Sequence, residues 1–331
     1  MPTTSAPSTP PAWSPPQSAD LYATDTWGHG FFGVDENGHA TVRLRDGDGW
    51  RKVSLFSLVE GLRERGNALP ILLRFRDILQ SRIAEINDCF NHAIDRLHYG
   101  GCYRGVYPIK VNQQRQVIEE ITDFGKRYHY GLEAGSKPEL IAALAHMHDT
   151  EAYLVCNGYK DEEFIDLALH AQHMGLKVML VLEMPTELDL VLERADRLGI
   201  QPNLGVRVRL STRGSGHWEE SAGDRSVFGL SASQVIEVVD RLRERNRLNC
   251  LKMLHYHQGS QIPNIASIRE GAAEVARIYC DLVQEGAPMG VLDIGGGMAI
   301  DYDGSHTNFA SSCNYSILEY CTDIIETIMQ Q

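Results

Sequence analysis

In the stretch YRGVYPIKVNQQ, Tyr103 to Gln114, one lysine stands inside a run that reads as a β-strand. Lysine is rarely buried without a partner. On an alternating strand, Val106, Pro108 and Lys110 share one face and Tyr107, Ile109 and Val111 the other. Lys110 is then either a surface residue at a strand end or an amine held in apolar surroundings. Burial disfavours the ammonium form and would make the amine a nucleophile near neutral pH. Three further strand ends carry chemistry. GLEAGSKPE places Glu133 at the end of one strand, with Ser136 at the start of the next helix. HYHQGSQ puts His255 and His257 on one strand face, as hydrogen-bonded core residues or as an HxH pair suited to zinc. LDIGGGMAIDYDG runs a strand straight into Gly295, Gly296 and Gly297. Those glycines make a tight turn or, through exposed N–H groups, a phosphate cradle. Ile300 stands where GxGxxG needs its last glycine, so a dinucleotide site is unsupported. DYDGSH lacks the third ligand and the glycine spacing of a calcium loop.

The elements that must position these residues alternate. Strands are predicted at GVYPIKV, YHYGLEA, AYLVCN, KVMLVLE, LGVRVRL, LKMLHYH and MGVLDIG. Helices between them have readable starts, at Ser136 with Glu139, Thr186 with Asp189, and Ser231 with Gln234. Gly175, Gly199 and Gly286 stand where helices should stop. Alternation of this kind predicts a parallel sheet covered by helices, a TIM-type (β/α)8 barrel that lacks its last strand. ILEYCTDIIETIMQQ reads as an amphipathic helix with Ile317, Cys321, Ile324 and Ile328 on one face. Upstream, LPILLRF predicts a short strand that leads into a helix. GFFGVDENGHATVRL predicts two strands around the turn Asp35–Gly38. The expected organisation is a disordered Pro/Ser/Thr-rich tail over 1–26, a small β element over 27–68 and a barrel over 69–331.

The chain has 331 residues, 43% of them hydrophobic, and a net charge of −13. That charge argues against nucleic acid or an anionic membrane as partner and only weakly favours a cationic ligand, since it is spread along the chain. No apolar run approaches a membrane span. Seven cysteines show no CxxC pair, which suggests reduced thiols and a cytoplasmic setting.

Pyridoxal phosphate accounts for all four strand ends together. It needs a lysine for its aldehyde, a flat partner for its ring, an acid for its pyridine nitrogen and a cradle for its phosphate. At this point the sequence resembles a known family. GVYPIKVNQ, GLEAGSKPEL, LVCNGYKD, HYHQGSQIP and LDIGGGMAIDYDGS are similar to segments of the biosynthetic arginine decarboxylases, which are fold-type III, alanine-racemase-like pyridoxal-phosphate enzymes. The resemblance runs from about Trp27 to about Gly304. HYHQGSQI departs from the commoner His-Phe-His-x-Gly-Ser-Gln, and Met298 replaces a usual leucine.

The resemblance implies roles for particular residues. Lys110 is the lysine bound to pyridoxal phosphate, and His257 stacks on its ring. Ser260 and the backbone of Gly295, Gly296 and Gly297 hold the phosphate. Glu133 lies near the bonded lysine and Arg207 near the ring. Asp293, Ile294, Met298, Ala299, Ile300, Asp301 and Tyr302 line the substrate region. It further implies decarboxylation of L-arginine to agmatine and CO2 for polyamine synthesis, use of magnesium with no magnesium site identified, and a homo-oligomer. Related enzymes also carry a glutamate for the pyridine nitrogen on the last barrel strand, and a later β-domain. Neither motif is found here, so the chain resembles the N-terminal part of such a protein. Two other readings are a non-catalytic pyridoxal-phosphate-binding protein and a zinc hydrolase built on His255 and His257.

Overall fold

The computed structural model describes residues 13–211, 228–302, 304–305, 307 and 312–331. They belong to two compact units. One comprises residues up to Ile78 with Asp301–Thr307; the other comprises Leu79–Ile300 and Asn308–Gln331.

The first unit opens with helices α1 (Pro15–Leu21) and α2 (Thr24–Trp27). The tail was predicted to be disordered through residue 26, and its described part is helical instead. Ser14 and Gln17 form a capping box. Pro15 and Pro16 occupy the first turn, where N–H groups have no intrahelical partner to lose. Residues 1–12 lie outside the described residues. An antiparallel sheet follows, β1 (Phe32–Val34), β2 (Ala40–Asp46) and β3 (Gly49–Ser54), in that order. Only the first two strands were predicted. GWRKVS in the third shows no apolar alternation, and six register pairs with β2 hold it in place. Ser54 then caps α3 (Leu55–Glu64) through the Ser57 N–H. The strand predicted at LPILLRF does not form, and residues 69–75 are irregular. Pro70 has no N–H to give a ladder. This unit therefore extends beyond the expected 27–68 at both ends and takes in Asp301–Thr307.

All seven predicted strands of the second unit are present. After α4 (Arg76–Leu97) come β4 (Val106–Pro108), α5 (Arg115–Gly125), β5 (Gly131–Ala134), α6 (Lys137–His146), β6 (Tyr153–Cys156), α7 (Glu162–His173) and β7 (Lys177–Leu182). They are followed by α8 (Glu187–Leu198), β8 (Leu204–Arg207), α9 (Ala232–Glu244), β9 (Leu251–His257), α10 (Ile265–Gln284), β10 (Val291–Gly295) and α11 (Ile317–Met329). The strands pair in parallel and in sequence order from β4 to β10. The sheet curls into a half-barrel. Among the described residues no strand covers the outer edge of β4 or β10.

Both faces of the sheet are apolar, as a parallel sheet requires. Leu132, Leu154, Leu180 and Leu204 pack with Leu140, Phe164 and Leu188 of the surrounding helices. The alternate residues Val155, Met179, Val181 and Met253 form their own cluster on the opposite face. Cys321 and Ile324 of α11 are buried against Phe90, Ala93 and Ile268, which matches the amphipathic pattern. Helix starts are only partly as predicted. Ser231 and Gln234 form the expected capping box. Glu139 instead accepts from the Gly135 N–H at 2.8 Å, and Thr186 makes no side-chain cap.

Candidate active site

Parallel pairing in sequence order delivers every strand end to one rim. Strand β4 stops at Pro108, and Ile109–Val111 form a single 3-10 turn. The strand predicted to run through Val111 therefore ends before the lysine. Ile109 is fully buried in that turn, whereas the Lys110 side chain is 53% exposed. The expectation that apolar burial activates Lys110 does not hold; a carboxylate partner takes its place. Pro108 lies opposite Glu133 in the ladder, and the turn carries Lys110 over it. Lys110 Nζ donates to Glu133 Oε1 at 2.9 Å.

An open cleft of about 870 Å³ occupies this rim. Lys110, Glu133, Arg207, His257 and Ser260, five of the residues singled out from sequence, all line it. His257 ends β9. Burial, then the charges of Arg207, His255 and Lys110, push its imidazole down to about 4. It is therefore uncharged at neutral pH. Its neighbour His255 is buried, with Nδ1 2.9 Å from Asp293 Oδ2, an ion-pair distance without hydrogen-bond alignment. Among the described residues no three His, Cys, Asp or Glu side chains gather as a metal site. The zinc reading thus has no third ligand there, and no magnesium site is found among those residues.

The three glycines stand behind the wall of the cleft. Gly297 N–H donates to Gly259 O at 2.8 Å, and Ile262 N–H to Gly297 O at 3.0 Å. The N–H of Gly297, expected to serve a phosphate, is spent on that loop. Gly296 has φ +127°, and a Cβ there would come 3.0 Å from Gly259 O. Gly295–Gly297 therefore brace the backbone of Gly259 and Ser260, which face the cleft.

The residues expected to line the substrate region do not line this cleft. Asp293 meets His255. Ile294 and Met298 pack into the core. Ala299 N–H donates to the Tyr315 hydroxyl at 3.1 Å, and the exposed Ile300 donates to Gln261 Oε1 at 3.2 Å. Asp301 and Tyr302 group with the N-terminal unit.

Several residues of the cleft had no role assigned from sequence. Glu183 follows β7, and its Oε1 accepts from Arg207 Nη1 at 3.1 Å and from the Gly158 N–H at 3.0 Å. Lys160 is fully buried, with its Nζ 3.5 Å from Glu187 Oε2. Burial pulls the Lys160 ammonium below its usual range, opposed by Glu187 and Glu183. Gly158 has φ +73°, and a Cβ there would lie 2.2 Å from Gly135 O, so only glycine fits. The Tyr159 and Phe228 rings meet at a tilt of 31°, their centres 5.3 Å apart. Their sequence signals were a strand ending in an acid, VLE, and the NGYK turn after another strand.

These residues fit pyridoxal phosphate. An exposed amine, an uncharged imidazole and a hydroxyl converge on one cleft, with Arg207 adding a cation. Asn157 Oδ1, in the same wall, is buried without a hydrogen-bond partner and so suits a ligand's donor.

The state of His257 has a consequence for stability. The unfolded chain takes up this proton near pH 6.5 and the folded chain only near pH 4. Its contribution is therefore full above pH 6.5 and is lost as pH falls toward 4. Denaturant unfolding across that window should show the unmutated chain losing about 3 kcal/mol more than His257→Asn. Equal losses would show that the imidazole titrates normally.

Comparison with known proteins agrees with this geometry. Residues 83–330 match the family described as pyridoxal-dependent decarboxylase, pyridoxal binding domain. The biosynthetic arginine decarboxylase of Gloeobacter violaceus is 49% identical over 313 residues, 95% of this chain and 48% of that protein. That of Aeromonas hydrophila is 46% identical over 314 residues, covering 95% and 50%. The crystal structure of the biosynthetic arginine decarboxylase of Campylobacter jejuni superposes with a TM-score of 0.82 at 33% identity, over 93% of this chain and 50% of that one. The diaminopimelate decarboxylase of Helicobacter pylori, at 20% identity and a TM-score of 0.64 over 82% of this chain and 63% of that one, shares the fold. This chain spans about half the length of the curated relatives it matches. From the match over most of its length and the cleft at its strand ends, the chain belongs to the pyridoxal-dependent decarboxylases, and residues 83–330 are its pyridoxal-binding domain.

Proposed function

We propose that this chain takes part in the pyridoxal-phosphate-dependent decarboxylation of L-arginine to agmatine and CO2, a step that supplies polyamine synthesis. The observation that carries the reading is the Lys110 amine, 2.9 Å from Glu133 in the cleft that also holds His257, Arg207 and Ser260. Arginine as substrate rests on the similarity to the biosynthetic arginine decarboxylases. Homo-oligomerisation and a cytoplasmic setting belong to the same reading.

When bound, pyridoxal phosphate supplies the electron sink for the pair left behind by CO2. The chain's residues supply the rest. Lys110 would hold the cofactor's aldehyde carbon. Glu133 orients the amine and is the acceptor at hand for the proton it sheds. His257, uncharged, offers an aromatic face to the ring without adding a cation. Gly259 and Ser260 would take the phosphate, with Arg207 complementing its charge.

Borohydride treatment after addition of pyridoxal phosphate should place the label on the peptide that contains Lys110, and Lys110→Ala should abolish it. A persistent label in that variant would remove the assignment. Substrate choice is read from labelled CO2 released from arginine, ornithine, lysine and diaminopimelate. Arginine should release the label faster than the other three amino acids. Preference for another of the four amino acids would overturn the substrate, and no CO2 from any of them would favour a non-catalytic binding role.

A further inference from the structure

Two ion pairs lie end to end in the wall of the cleft. In the inner pair, Lys160 is sealed from solvent with its Nζ 3.5 Å from Glu187 Oε2, and it donates to the carbonyls of Gly158 and Val181. Glu187 Oε2 in turn accepts from the Glu183 N–H at 2.7 Å. In the outer pair, the Glu183 side chain is 0% exposed and Arg207 is 17% exposed, at the cleft wall. Arg207 Nη1 reaches both Glu183 oxygens, at 3.1 and 3.3 Å, and its guanidinium carbon lies 5.4 Å from the Phe228 ring centre. The Gly158 N–H shares Oε1. One buried carboxylate thus ties together the end of β7, the end of β8 and the Asn157–Gly158 turn after β6. The inner pair already staples strand to helix. The outer pair puts its cation where a ligand would meet it.

We propose that Glu183 is a positioning residue: it fixes the Arg207 guanidinium in the cleft wall and locks the Asn157–Gly158 turn to it, so that uptake of pyridoxal phosphate depends on Glu183 acting through Arg207. The proposal rests on the reading of the cleft as a pyridoxal-phosphate site. A purely electrostatic role gives the opposite sign of effect. Removing the Glu183 charge makes the cleft more positive, which by itself would tighten a phosphate ligand. Loss of position loosens it, because the guanidinium is freed and the Gly158 N–H loses a carboxylate.

The test uses the 331-residue chain, titrated with pyridoxal phosphate and followed by its visible absorbance, its borohydride bleaching and the pH midpoint of the band. The titratable and charged groups that bear on that midpoint are Lys110, Glu133, Lys137, Glu139, Lys160, Asp161, Arg207 and His257 in the cleft, with Glu187 behind. Glu183→Gln should weaken binding at least about tenfold, as for one partner removed from a buried charge pair. It should also lower the pH midpoint, since a lost negative charge disfavours protonated neighbours. Glu183→Asp, which keeps the charge, should restore the midpoint. Arg207→Gln combined with Glu183→Gln should bind no worse than Arg207→Gln alone, the signature of one residue acting through another. Thermal melting of each variant separates a folding defect from these effects. Binding and midpoint unchanged in Glu183→Gln, tighter binding, a change in melting alone, or additive losses in the double variant would each overturn the proposal. If the unmutated chain develops no visible band, the reading of the cleft itself fails and the proposal falls with it.

Discussion

The parallel pairing of seven strands in sequence order is the constraint on which the site depends. It sends every strand end to one rim, where consecutive strand–helix units deliver one chemically distinct residue each. Glu133 comes 23 residues after Lys110, and Arg207 24 after Glu183. These separations are each one turn of the repeating unit, and they place the two partners of an ion pair on neighbouring strands. The chemistry could not be gathered by local sequence. It needs the ladder, in which Pro108 faces Glu133 and Gly295 faces His257.

Charge balance at the rim follows from the cost of burial. Isolated charges out of water are expensive, and pairing offsets that cost only when the hydrogen bonds are complete. Three cations that line the cleft are matched by one carboxylate each: Lys110 by Glu133, Arg207 by Glu183 and Lys160 by Glu187. The degree of burial differs across the three. Lys110 is half exposed and chemically accessible, Arg207 is nearly covered, and Lys160 is sealed. The same fold thus yields one reactive amine and one structural amine within a single cleft. His257 escapes the pattern by being uncharged, because burial first, and then three cationic or cation-forming neighbours, act against its proton.

Much of the scaffold was legible in the sequence. Alternation of apolar strands with capped helices marked all seven strands, and strand ends marked Lys110, Glu133 and His257, while Arg207 and Ser260 came only through the family resemblance. The boundary of β4 was not legible. VYPIKV has strand composition throughout, yet pairing stops at Pro108, and the residue that follows turns inward as Ile109. That loss of three strand residues replaces a buried lysine with an exposed, carboxylate-paired one. The Glu183–Arg207 and Lys160–Glu187 pairs were missed because each joins residues more than twenty positions apart, with no local pattern. The glycine run misled in part, since its turn supports a neighbouring loop instead of offering all its own N–H groups. In the N-terminal unit, proline content pointed to disorder, while two prolines in a first helical turn served as a start signal.

The central claim is that the shared rim of strand ends is the cofactor site and that Lys110 is its covalent anchor. X-ray diffraction from crystals of the chain grown with pyridoxal phosphate tests it most directly. The expected result is density continuous with Lys110 Nζ, the ring beside His257 and the phosphate against Gly259 and Ser260. Density bonded to Lys137 or Lys160, or a cofactor seated away from the rim, would contradict it.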